Sequence, residues 1–362
     1  MKTRFILLTG FILLFFIGTV NARDRVEKRT IEKRFKTTGE THLQIDNKYG
    51  ILVIQEWDKD EVEFAIQIVC RGKNQKTAEE MLKRTSVKLE QSDDKIFATT
   101  NFATSPNENS KGSSTTVNYL INVPTSTYLH LKNKYGNIQL DYVSKPIEIE
   151  LEHGNIYAHR LEGDNNKISI NYGVIQVLKS GSMELNMKRG EARIDQLPDL
   201  KLTGYYTSLF SNIINNLQVT STKYSQLKLG RVNTVNFGFS TLWTSIDIRQ
   251  LEQKFEGARL QYCTVSIDTI SPNFSSIDID AMHSKVTLGI NQKHNTKIDL
   301  SAPYGDIVLN GLEINHAARS HNSQNPYPLQ TTGYIGRTSN PRAKIKISTS
   351  YATITFKNKV TD

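Results

Sequence analysis

The 362-residue sequence has few of the residues that build covalent or metal-based sites. Its two cysteines, Cys70 and Cys263, are too few for a disulfide framework or a cysteine-rich zinc centre. It contains no glycine-rich phosphate loop, no serine nucleophile elbow and no calcium-binding nonapeptide repeat. The histidines show no metal-ligand spacing with acidic or cysteine residues. We therefore expect no catalytic residue, no cofactor and no bound metal.

The first 22 residues have the pattern of a signal peptide. Lys2 and Arg4 precede an apolar segment over residues 5–20, and Val20 and Ala22 form a small-residue cleavage site. The alternative is an uncleaved membrane anchor, but a span needs about 20 apolar residues. We therefore expect cleavage that leaves a mature chain beginning at Arg23, without a stable transmembrane span.

The chain is basic, with a formal net charge of +9 that becomes +7 when Lys2 and Arg4 are removed. A positive charge of this size is compatible with nucleic acid, anionic glycans or lipid headgroups as partners. Export argues against nucleic acid. The charge therefore favours a weak attraction to anionic glycans or lipid headgroups.

The sequence is rich in one repeated unit, which consists of an aromatic residue, a small residue and two alternating apolar residues. Tyr135-Gly136, followed by Ile138 and Leu140, is the clearest copy. A period near 20 residues with alternating apolar positions predicts a parallel β-solenoid, and the crossover rule favours right-handed coiling. The twelve copies begin at Tyr49, Tyr135, His153, Tyr172, Arg189, Tyr206, Tyr224, Phe239, Tyr262, His283, Tyr304 and Tyr351.

The spacing within the unit predicts where the aromatic side chain points. The gap from the preceding apolar residue is even in most copies, as from Ile170 to Tyr172, and an even gap on a strand keeps both side chains on one face. We therefore expect the aromatic residues to be buried at a corner of each coil. The residue after them is Gly, Ser, Thr, Cys or Ala, which indicates a need for small volume rather than for a positive φ. The tyrosines expected to be buried are Tyr135, Tyr172, Tyr262 and Tyr304.

The repeats divide the mature chain into two parts. Residues 23–125 are predicted to form the first coil and a small α+β excursion, with a short helix over 76–84, that caps the open end of the solenoid. Residues 126–362 are predicted to be the remaining β-solenoid. Within it, residues 311–342 are rich in Pro, Asn, Ser and Gly, a composition that is typical of a long loop.

The signal peptide, the Asn47-Lys48-Tyr49-Gly50 opening and the ladder of short β-repeats resemble exported bacterial proteins with β-strand repeats, known as adhesin-head domains. The resemblance covers residues 40–358. It implies an envelope or surface protein with a parallel β-solenoid that acts in adhesion or scaffolding. It implies no catalytic residues.

One row of residues is a candidate ligand-binding strip. The residue between the two downstream apolar positions of each unit should face outward, because side chains alternate along a strand. Aromatic rings and cations that alternate in this row suit a glycan or an anionic envelope polymer. The alternative is ordinary packing between neighbouring strands. The candidate residues are Tyr157, Arg193, Phe210, Lys228 and Trp243.

These features predict an exported, non-enzymatic protein of the periplasm, outer membrane or cell surface that acts as an adhesive or scaffolding module. Its partner would be a glycan, an anionic polymer or another envelope protein. One alternative is a carbohydrate-active β-helix enzyme, which needs two carboxyl groups within about 10 Å in a groove. Asp141, Asp195 and Asp268 end their repeats as turn residues do, and lie too many coils apart for this. The other alternative is a periplasmic partner of an envelope signalling system.

Overall fold

The computed structural model describes residues 25–103, 112–321, 328–338 and 340–359. The predicted signal peptide at 1–22 lies outside these residues. In the described part of the chain, 23 strands belong to one sheet and one helix accompanies them, which confirms the all-β class. Within that part, no helix is both long enough and apolar enough to cross a membrane.

The N-terminal elements surround the first repeat. Its two strands, β2 and β3, pair in parallel with β6 and β7 on one side and with β8 and β9 on the other. Antiparallel pairing then extends the sheet from β7 to β4 and from β4 to β1. The bounds are β1 Arg25–Lys36, β2 Thr41–Lys48, β3 Leu52–Trp57, β4 Glu61–Gly72, β5 Thr85–Ser92, β6 Lys95–Phe102, β7 Ser114–Pro124, β8 Thr127–Lys134 and β9 Ile138–Val143.

The helix α1 (Gln75–Arg84) lies between β4 and β5. Its N-terminus is capped by Asn74, whose side-chain oxygen accepts a hydrogen bond from the Thr77 backbone N–H at 2.8 Å. Lys83 and Arg84 stand in the last turn, where cations interact favourably with the helix dipole. The helix contacts β4, β1 and β5, and Ala78 is its buried residue.

The middle of the chain is a series of stacked repeats. Each has a first arm, a corner residue and a second arm, and each arm pairs in parallel with the same arm of the next repeat. The strands β10, β11 and β12 run through the corner, and β12 contains two complete repeats. The bounds are β10 Ile147–Leu161, β11 Asn166–Ser180, β12 Met183–Lys223, β13 Gln226–Leu242, β14 Ser245–Gln261, β15 Thr264–Ile270, β16 Ser276–Met282 and β17 Lys285–Ile290.

The core lies between the two arms of each repeat. Ile149, Ile168 and Leu185 are register partners on successive first arms, and all three are fully buried. Ile156 and Ile175 make the corresponding pair on the second arms. Equivalent apolar positions therefore stack into columns, which is why the alternating pattern recurs in every repeat.

The order of the last repeats in the stack differs from their order in the chain. The strand β22 pairs with β16 on one side and with β18 on the other, and β23 lies in the same way between β17 and β19. The final repeat is therefore inserted between the two that precede it. The bounds are β18 Thr296–Ser301, β19 Asp306–Val308, β20 Asn315–His321, β21 Pro328–Ile335, β22 Ala343–Ser350 and β23 Thr353–Asn358.

The segment 311–342, predicted as a loop, contains the two strands β20 and β21. They pair with each other antiparallel, and β21 also pairs antiparallel with β18. This hairpin covers a strand edge that would otherwise be open. The prediction of a loop rested on the composition of the segment and missed a short alternating pattern, in which Thr331 and Ile335 are buried while Thr332 is exposed.

Candidate functional site

The corner residues of the repeats form one continuous column, which we call the corner ladder. Every member has a left-handed backbone, with φ between 50° and 62°. This conformation is unfavourable for residues other than glycine, so its repetition reflects a constraint of the fold. In stack order the corner ladder consists of Tyr49, Tyr135, His153, Tyr172, Arg189, Tyr206, Tyr224, Trp243, Tyr262, His283, Tyr351 and Tyr304.

The prediction that these tyrosines are buried is wrong. Tyr135, Tyr172, Tyr262 and Tyr304 are 41%, 38%, 42% and 75% exposed. The even spacing from the preceding apolar residue places a side chain inside only if the backbone stays in the β region. A residue with positive φ breaks that alternation, and its side chain turns outward.

The rings of the corner ladder stack face to face. Centroid separations run from 4.3 Å, between Trp243 and Tyr262, to 6.5 Å, between Tyr224 and Trp243, with planes within 14° of parallel. Arg189 takes the place of a ring, and its Cζ atom lies 5.2 Å from the Tyr172 centroid and 5.9 Å from that of Tyr206. Ring faces within the ladder are therefore covered, and ring edges and hydroxyl groups meet the solvent.

The small residue after each corner is required for its volume, as predicted. A Cβ atom on Gly154 would lie 2.0 Å from the carbonyl oxygen of Gly136, and one on Gly173 would lie 1.9 Å from that of Gly154. None of these glycines has a positive φ. The glycine corners therefore bring neighbouring backbones into direct contact, while the preceding residue makes the left-handed turn.

Exposure of the corner ladder changes the expected cost of removing a ring. Tyr172→Ala should lower the free energy of unfolding by about 1.5 kcal/mol, because a partly exposed ring loses stacking but empties no cavity. Phe237→Ala should cost about 3 to 5 kcal/mol, because Phe237 is 2% exposed. Urea denaturation of both variants measures the difference. Equal losses would show that the ladder is buried in solution.

Four of the five candidate strip residues occupy equivalent outward positions on the second arms. Tyr157, Arg193 and Lys228 are exposed, and Phe210 is half-buried. Arg193 and Lys228 lie on either side of Phe210, with Cζ and Nζ atoms 4.9 Å and 5.8 Å from the ring centroid. Gln176 separates Tyr157 from Arg193 in the stack.

Trp243, the fifth candidate, does not belong to this row. It is a member of the corner ladder, and Asp247 holds the strip position as the register partner of Lys228. Both Phe239 and Trp243 precede a small residue, so the unit alone did not separate them. Spacing would have done so, because Trp243 lies 19 residues from both Tyr224 and Tyr262.

The outward face of the second arms carries a groove of about 880 Å³ that crosses six consecutive repeats. Five steps between neighbouring strands at about 4.8 Å correspond to about 24 Å along the stack. We call it the second-arm groove. One row of its lining contains Val53, Gln139, Tyr157, Gln176, Arg193 and Phe210, and the other contains Gln55, Asp141, His159, Leu178, Asp195 and Asn212.

The charged side chains of the second-arm groove are each engaged by a neighbouring side chain. Asp141 pairs with His159 Nδ1 at 2.7 Å, and Asp195 accepts a hydrogen bond from the Asn212 side chain. Arg193 forms an ion pair with Glu191. The prediction that Asp141 and Asp195 are turn residues is wrong, because both lie within strands, β9 and β12, two residues after the first row of the groove.

The outward face of the first arms brings three polar groups together. Ligand atoms of His130, Glu148 and Glu150 lie within 4.8 Å of one another. Lys132 Nζ lies 2.9 Å from Glu150, and its hydrogen bond lowers the pKa of that carboxyl group. A general acid in a carboxyl pair needs a raised pKa, which Glu150 lacks. Glu150 therefore acts as the ion-pair partner of His130 and Lys132 on the neighbouring strand.

No protein-family model and no curated protein matches this sequence. Solved structures that match include a "putative cell adhesion protein" from Clostridium sporogenes, with 10% identity, a TM-score of 0.23, and coverage of 92% of this chain and 100% of its own. A "putative adhesin" from Bacteroides fragilis has 10% identity, a TM-score of 0.25, and coverage of 91% and 97%. A "putative lipid binding protein" from Parabacteroides distasonis has 9% identity, a TM-score of 0.29, and coverage of 92% and 97%.

The names of the first two structures agree with the resemblance to bacterial adhesin-head proteins seen in the sequence.

Proposed function

We propose that the chain is an exported, non-enzymatic protein of the bacterial envelope or surface, whose stacked repeats form a parallel β-solenoid. It acts as an adhesive module that binds a neutral glycan chain in the second-arm groove. The observation that carries this proposal is the continuity of that groove across six repeats.

The shape of the groove favours a linear polymer over a small molecule. It is an open trough along the stacking direction, and each repeat offers two outward side chains at equivalent positions. A polymer that lies in it meets a series of weak subsites. Weak subsites acting together give useful affinity without a deep pocket, which suits adhesion.

The chemistry of the lining favours a neutral glycan over an anionic one. Arg193 is paired with Glu191, and Asp141 and Asp195 are already hydrogen-bonded to His159 and Asn212, so the side chains left for a ligand are mainly amides, a tyrosine and apolar residues. Gln139 and Gln176 offer amide groups that both donate and accept hydrogen bonds, as sugar hydroxyls require. Tyr157 lies between them in the stack, and Leu178, which is 59% exposed, provides apolar surface.

Removing these side chains should abolish most of the binding. The variant Gln139→Ala, Tyr157→Ala, Gln176→Ala should raise the Kd for a neutral glycan at least about tenfold, because three hydrogen-bonding subsites are lost. Folding should survive, since all three residues face outward. A glycan array with the mature protein identifies a binding glycan, and calorimetry with that glycan measures the change.

A matched control removes two amides and one tyrosine from the opposite face: Gln44→Ala, Tyr128→Ala, Asn186→Ala. These residues lie on first arms, so glycan binding should stay within about twofold of the unsubstituted protein. Unchanged binding in the groove variant would refute this use of the groove. Shortening of the glycan during incubation would instead favour a carbohydrate-active enzyme.

A further inference from the structure

Basic side chains accompany the corner ladder. Lys48, Lys134, Lys188 and Lys223 are each the last residue of a first arm, directly before a ladder residue. Lys48 Nζ lies 4.8 Å from the Tyr49 ring centroid, and Lys134 Nζ lies 5.1 Å from that of Tyr135. Arg189 adds a cation within the ladder itself.

Acidic groups are scarce at the same positions. The structure describes all twelve residues that directly precede a ladder member, and Glu152 is the one acidic residue among them. Its carboxylate forms an ion pair with Lys134 at 2.7 Å. The structure describes no ion pair for Lys188 or Lys223. The segment of the ladder around Arg189 therefore concentrates positive charge without a matching acid in this row.

The aromatic members reinforce this preference. Stacking covers their faces, so the ring edges and hydroxyl groups face solvent, as in Tyr206 and Tyr224, which are 46% and 47% exposed. Ring edges carry the positive part of the aromatic quadrupole, and tyrosine hydroxyls donate hydrogen bonds. The corner ladder thus presents cations, positive ring edges and hydroxyl donors to a ligand.

We propose that the corner ladder from Tyr172 to Tyr224 binds a linear acidic glycan, a polymer with a carboxylate on each sugar. Lys188 and Arg189 belong to one repeat, and Lys223 lies two repeats further along the stack on the same, first-arm side of the ladder. The binding groups follow one narrow line along the stack, about 4.8 Å apart per repeat. A linear polyanion meets all of them together. This site is separate from the second-arm groove and does not depend on it.

The test uses the mature protein and polygalacturonate as the probe, with affinity measured at low ionic strength, where exposed charge pairs are least screened. The variant Lys188→Gln, Arg189→Gln, Lys223→Gln should raise the Kd about tenfold. A charge-matched control, Lys76→Gln, Lys83→Gln, Arg84→Gln on the exposed face of α1, should leave the Kd within about twofold. If both variants lose the same affinity for polygalacturonate, binding depends on the net charge of the protein alone, and the proposal is overturned.

A second variant separates the charge at Arg189 from the stability of the ladder. Arg189→Tyr replaces the cation by the residue found at eight ladder positions, so stacking and folding should be retained. Its affinity for polygalacturonate should fall several-fold, while the groove variant should bind this probe normally. Retained affinity in Arg189→Tyr and in the triple variant would overturn the proposal. So would binding to anionic phospholipid vesicles without binding to polygalacturonate.

Discussion

Gly173→Ala should lower the free energy of unfolding by about 3 kcal/mol, although the change adds one methyl group. The new Cβ atom would lie 1.9 Å from the carbonyl oxygen of Gly154 and 3.2 Å from a methyl group of Ile170. The first contact is with backbone, so no side-chain rotation can relieve it. The neighbouring repeats would have to move apart, which lengthens the hydrogen bonds between them.

The stack contains its own control for this substitution. Gly204 is also buried, but a Cβ atom there would meet nothing closer than 3.4 Å, which is an ordinary contact. Gly204→Ala should therefore change stability by less than about 1 kcal/mol. Urea denaturation followed by circular dichroism compares the two variants. A Gly173→Ala protein as stable as Gly204→Ala would show that the corners are not close-packed.

Asn166→Leu should cost about 3 kcal/mol, because it removes the side-chain partner of the buried Ile147 N–H and of the buried Gly163 carbonyl. Asn166 is fully buried at the start of β11. Its Nδ2 group donates to the Gly163 carbonyl at 2.5 Å and to the Leu161 carbonyl at 3.4 Å, and its Oδ1 atom accepts from the Ile147 N–H at 3.2 Å. This side chain thus fixes the turn that joins one repeat to the next.

An exposed asparagine on the next first arm provides the comparison. Asn186→Leu should change stability by no more than about 0.5 kcal/mol, because its side chain faces solvent. Hydrogen exchange should show loss of protection at Ile147 in Asn166→Leu but not in Asn186→Leu. If both variants lose the same stability, the turn is held by other contacts.

The candidate site was only partly predictable from the sequence. The row of Tyr157, Arg193, Phe210 and Lys228 follows from alternation between buried residues, because those second arms stay in the β region. Trp243 was misplaced since two aromatic-small pairs lie close together in that repeat. The second row of the groove lies two residues after the first on the same strands, so alternation also places it outward. That the two rows border one groove depends on how the repeats stack, which only the tertiary structure shows.

By itself, the sequence determined the strand content and the core. Alternating apolar residues at a regular period specify columns such as Ile149, Ile168 and Leu185, because each repeat must bury the same face against its neighbours. Tertiary structure alone decided three things: the outward turn of the corner ladder, the insertion of the last repeat between its predecessors, and the hairpin of β20 and β21. Residue type does not encode a left-handed φ at Tyr or His, since that conformation is stabilised by stacking between repeats. Stack order likewise depends on pairing between distant strands, which local patterns do not contain.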